Sequence, residues 1–129
     1  MKLRGFLAGS VLAVALTLTA CGGGDGGDTG TGEDAGPQTI AIGTDTGAAL
    51  QFDPTTVTAP ANTAVQLTFT NKSDSQPHNL AFQEGITAAT NVNMAPGTSE
   101  TLSFTTPAAG EYKYVCTIHP TMVGTLTVQ

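Results

Sequence analysis

The dominant pattern in the chain is a two-residue alternation of apolar and polar positions, recurring in short bursts after residue 36. Ile40 and Ile42 alternate first. Val65, Leu67 and Phe69 follow in AVQLTFT, Leu80 and Phe82 in HNLAFQ, and Leu102 and Phe104 in TLSF. Tyr112 and Tyr114 alternate in EYKYV, and Leu126 and Val128 in GTLTV. Successive side chains of a strand point to opposite faces, so each burst predicts a short strand with one buried face. The bursts are broken by DP, NKSDSQP, APGTS and PAAG, which carry turn chemistry. No window shows a helical period, and there is no internal repeat. Several short strands of this kind predict an all-β fold, a Greek-key β-sandwich, over residues 37–129. Residues 44–50, TDTGAAL, fit none of these strands.

The first 36 residues follow different rules. Lys2 and Arg4 precede an apolar run from Phe6 to Leu18, and Leu18-Thr19-Ala20-Cys21 follows. A positive start, a short apolar core and small residues describe an export signal. Small residues followed directly by Cys resemble the bacterial lipobox. That resemblance implies cleavage after residue 20 and a lipid on Cys21. The run falls short of the ~20 residues needed to span a bilayer. Residues 22–36, GGGDGGDTGTGEDAG, hold eight glycines and four acids, with no large apolar side chain. Residues 21–36 therefore read as a lipidated cysteine and a flexible tether, with a root-mean-square reach of roughly 20 Å. The expected location is extracytoplasmic, with the domain anchored to a membrane by lipid.

Charge narrows the function. The 129-residue chain has 4 basic and 10 acidic residues and a net charge of −6. Removal of residues 1–20 leaves only Lys72 and Lys113 against all ten acids. Such a surface excludes nucleic acid, which needs a basic footprint. With Cys21 lipidated, Cys116 has no disulfide partner. A lone thiol in an oxidising compartment is a liability or a ligand.

The chemistry concentrates in CTIHPTM, where Cys116, His119 and Met122 recur at three-residue intervals. His78 shares strand parity with Leu80 and Phe82, and Cys116 with Tyr112 and Tyr114, so both point inward. Taken singly, His78 could be a core histidine bonded to a carbonyl, Cys116 a small buried hydrophobe, and Met122 ordinary packing. Together they demand a reason, because burying an unpaired imidazole or thiol is costly. Pro120 cannot join a ladder and turns the chain, so the loop should fold back and bring its three donors together. A thiolate, two imidazoles and a weak thioether form the donor set of a type-1 copper site.

In these residues the sequence resembles the cupredoxins, the small blue copper proteins of the plastocyanin and amicyanin group. The resemblance spans residues 37–129. It rests on PHNLAFQ, on MAPGTSETLSF, and on the C-x2-H-x2-M loop, whose spacing is similar to that of amicyanin. It implies one copper ion held by His78, Cys116 and His119, with Met122 as the axial ligand. It also implies that Asn79 ties the two ligand segments together. Ile118 departs from the family, where proline is common. The implied function is one-electron transfer by a monomer, with electrons leaving through the edge of His119 toward redox proteins at the membrane. Met94, Ala95, Pro96 and Pro120 are candidates for an apolar surface there. A copper-storing or copper-delivering lipoprotein is the alternative reading, and structural zinc is disfavoured by the thioether. Enzymatic readings fare worse. A cysteine hydrolase leaves Met122 and the second histidine without a role, and multicopper oxidases need His-x-His pairs, whereas this chain has two histidines in all.

Overall fold

A computed structural model describes residues 36–47 and 50–129. The expected leader, Cys21 and nearly all of the tether lie outside the described residues. Eight strands form, and no helix is present among the described residues. They are β1 (Gln38–Thr44), β2 (Phe52–Asp53), β3 (Thr56–Ala59), β4 (Ala64–Thr70), β5 (Ala81–Phe82), β6 (Ser99–Thr105), β7 (Gly110–Val115) and β8 (Val123–Val128). They make two four-stranded sheets, in the orders β2-β1-β4-β6 and β3-β8-β7-β5. The β1–β4 and β3–β8 pairs are parallel and the others antiparallel. The result is the expected all-β sandwich.

The alternating residues meet between the sheets. Ile40, Ile42, Val65, Leu67, Phe69 and Leu102 are buried from one side, and Phe82, Tyr114, Leu126 and Val128 from the other. Each such side chain contributes about 1.5–3 kcal/mol by leaving water. Tyr114 anchors the centre. Its ring lies edge-on to Phe52 at 4.9 Å and to Phe82 at 5.7 Å, and its hydroxyl donates to the carbonyls of Pro54 and Thr55. On the solvent face, Thr68 pairs with Thr101 and Thr70 with Ser99 through hydroxyl bonds of 2.9 and 2.8 Å across β4 and β6. These pairs reinforce a register already set by the buried face.

Two elements lie outside the alternation. β2 and β3 flank the cis Asp53–Pro54 bond, and each is tied by pairing to a longer neighbour. Phe52 and Ala59 are their buried residues. Thr44, expected outside the strands, ends β1 opposite Phe52, and beyond it Asp45 N donates to Gln51 O at 2.9 Å. The APGTS turn forms as expected. Gly97 takes φ 78°, which glycine tolerates freely, and Thr98 N donates to Ala95 O.

Candidate metal centre

The β5–β7 pairing carries the upstream histidine to the C-terminal loop. Ala81 faces Val115 and Phe82 faces Tyr114, so the chain preceding β5 runs beside the chain leaving β7. Backbone bonds hold each side. Leu80 N donates to Thr90 Oγ1 and Thr90 N to Leu80 O, while His78 N donates to Met94 O at 3.2 Å. The ligand loop closes on itself. Cys116 N donates to Met122 O at 3.1 Å, and Met122 N donates to His119 O at 2.8 Å. CTIHPTM therefore folds back as its proline and spacing require.

The donors converge. Cys116 Sγ lies 3.7 Å from His78 Nδ1 and 3.7 Å from His119 Nδ1, and the two Nδ1 atoms are 3.2 Å apart. Cys116, His78 and Met122 are buried, whereas His119 is half-buried. A triangle with these sides has its centre about 2 Å from every corner. That distance matches a zinc–imidazole bond of about 2.0–2.1 Å and falls slightly inside a zinc–thiolate bond of about 2.3 Å. The residues fit a metal ion at that point. Without one, two imidazole nitrogens and a thiol would face one another in the interior with no other partner, an arrangement that folding disfavours. Burial, and then the facing His119 ring, hold the His78 imidazole below its ordinary range. The neutral, metal-binding form is thereby favoured at neutral pH.

Asn79 bonds across to the segment after Cys116. Its Oδ1 accepts from Thr117 N at 2.8 Å and from Thr117 Oγ1 at 3.2 Å. Its Nδ2 is buried without a partner among the described residues. The donor of this tie, Thr117, was not singled out from the sequence, although its hydroxyl stands next to the cysteine. One expectation is corrected. Met94 is 5 % exposed and belongs to the core, so it offers no surface beside His119. Its carbonyl is committed to His78 and its side chain turns inward with the rest of that β-bridge. Ala95, Pro96 and Pro120 are exposed, and Val123, absent from the expected surface, is 42 % exposed just after Met122.

A family model described as a cupredoxin-like domain matches residues 10–128. No curated protein matches the chain. Among solved structures, an auracyanin from Roseiflexus castenholzii is 30% identical, with a TM-score of 0.64 over 73% of this chain and 99% of its own. Auracyanin A from Chloroflexus aurantiacus, described as a blue copper protein, is 31% identical, with a TM-score of 0.59 over 73% of this chain and 100% of its own. A purple cupredoxin from Nitrosopumilus maritimus is 26% identical, with a TM-score of 0.53 over 70% of this chain and 99% of its own.

Proposed function

The chain belongs to the cupredoxin-like family, and from that premise we propose that it is an extracytoplasmic, lipid-anchored carrier of single electrons. The observation that supports this most is the convergence of His78, Cys116 and His119 on one point at metal-bonding distance, which with Met122 calls for a single copper ion. Copper in such a site supplies a one-electron couple. The residues supply the rest. The Cys116 thiolate would offset the charge of a buried cation, and the two imidazoles would help hold it. Met122 would be the weak fourth donor. The self-closed loop and the Asn79–Thr117 tie keep the donors fixed, so that little moves when charge changes. No acid, base or nucleophile is required.

Titration of the full chain with Cu(II) tests this reading. One equivalent should produce an intense visible band that ascorbate bleaches, whereas a pale complex would overturn it. Met122→Leu should retain copper and raise the reduction potential, because a weak donor stabilises the more highly charged ion more. An unshifted potential in voltammetry would remove Met122 from the axial position.

The described chain begins far from the metal centre. β1 begins at Gln38 beside Val65, and its pairing with β4 ends at Gly43 beside Thr70. The metal centre lies at the Thr70 end, where Asn71 and Met94 approach His78. The described chain thus begins at the pole opposite the metal centre, and the His119 edge would be free to meet redox proteins. Ala95, Pro96, Pro120 and Val123 would form the contact, a small uncharged surface suited to brief encounters. Cys21→Ser should move the protein from the membrane to the soluble fraction. Retention in the membrane would instead indicate an uncleaved apolar leader.

A further inference from the structure

One buried side chain stitches together the segment after β4 and the turn before β6. Asn71 is fully buried. Its Nδ2 donates to the carbonyls of Gln76 and Met94, both at 2.9 Å, and its Oδ1 accepts from Ser73 N at 3.0 Å. Its backbone N donates to Thr98 O and its carbonyl accepts from Gly97 N. The Met94 carbonyl it holds is the same one that receives the His78 N–H. Gln76 lies two residues before His78. The backbone of this donor is therefore fixed from both sides through one amide that touches no donor atom.

We propose that Asn71 is a positioning residue of the metal centre, which through the Met94 and Gln76 carbonyls sets how the His78 imidazole meets Cys116 and His119. The proposal rests on the copper reading above. The requirement is for an amide. Two donors and one acceptor at this size are available only from asparagine. Aspartate would turn an acceptor toward two carbonyls, serine could serve one of them, and leucine would fill the volume and serve none.

Thr106 supplies the comparison. It is equally buried, and its Oγ1 donates to Pro60 O at 2.6 Å and accepts from Thr63 N at 2.9 Å. It performs the same stitching at the opposite pole, with no connection to a donor.

Asn71→Leu, Asn71→Ser and Thr106→Val in the full chain, loaded with Cu(II) alone, test the idea. Asn71→Leu should displace the visible band and release copper to a chelator about 10–100-fold more readily, the usual effect of losing an outer partner. Asn71→Ser should be intermediate, and carries the test if the leucine variant does not fold. Thr106→Val should lose thermal stability yet keep the wild-type band and copper retention. In the metal-free chain, amide exchange at His78 should quicken in both Asn71 variants and not in Thr106→Val. Wild-type spectra and retention in folded Asn71 variants, or the same changes in Thr106→Val, would overturn the proposal. A wild-type chain that gives only a pale complex sinks the copper reading instead, and the His78 exchange rates then decide the role of Asn71.

Discussion

Cys116→Ser should remove the intense visible band completely while leaving the sandwich folded. The band of a type-1 site arises from charge transfer between thiolate and copper, so it disappears with the sulfur. A thiol beside a metal ion gives up its proton readily, whereas a serine hydroxyl stays neutral and is a poor donor to a soft ion. The buried site would then lose its one negative group, and a cation there would be uncompensated. Copper binding should weaken by more than the about 10–100-fold expected from losing an outer partner. The fold should tolerate the change, since serine is close to cysteine in size and its hydroxyl can bond one of the two imidazole nitrogens 3.7 Å from Sγ. Absorption and thermal melting of the same samples separate the two effects. A variant that keeps its full colour would show that the metal is held elsewhere. A colourless variant that is also unfolded when metal-free would show that Cys116 serves packing first.

Much of this centre was legible because strand parity and loop chemistry are local properties. His78 could be placed inward from Leu80 and Phe82, and Cys116 from Tyr114, before any contact was known. Pro120 and the three-residue spacing likewise foretold the fold-back that the Cys116–Met122 backbone bond completes. What stayed hidden depends on partners distant in sequence. β2 is too short to alternate, and β3 alternates only through Val57 and Ala59; both form by pairing with β1 and β8. Asn71 opens NKSDSQP, which reads as a solvated turn, and nothing local reveals that two carbonyls enclose it. Met94 was misplaced for a related reason. An apolar residue beside a proline-glycine turn resembles exposed loop, and only its bridge to His78 draws it into the core.

Gly124→Ala should destabilise the domain more than any other glycine-to-alanine change in the strands. Gly124 lies opposite Tyr114 in the β7–β8 ladder. A Cβ there would run into Cε2 and Cζ of the tyrosine ring, with the hydroxyl 2.6 Å away. The ring cannot yield easily, because Phe52 and Phe82 flank it and its hydroxyl is bonded to two carbonyls. Overpacking of this kind costs about 1–3 kcal/mol and occasionally more. In a domain of this size each kcal/mol lowers Tm by about 4–8 °C. Gly97→Ala meets open space and strains only a positive φ, so it should cost less. Tyr114→Leu should cost less in the Gly124→Ala background than in wild type, since there it also removes the obstructing ring. Melting curves of the four proteins check this, and a Gly124→Ala variant as stable as wild type would refute the close approach. The effect should also reach the metal. Tyr114 and Gly124 stand two residues outside Cys116 and Met122, the ends of the closed loop, so a displaced ladder pair reopens the loop from its base. Copper retention should fall together with the metal-free Tm here, whereas Cys116→Ser should abolish colour at nearly unchanged metal-free Tm. The pairing that makes the sandwich is thus the same pairing that brings sulfur and imidazole to one point.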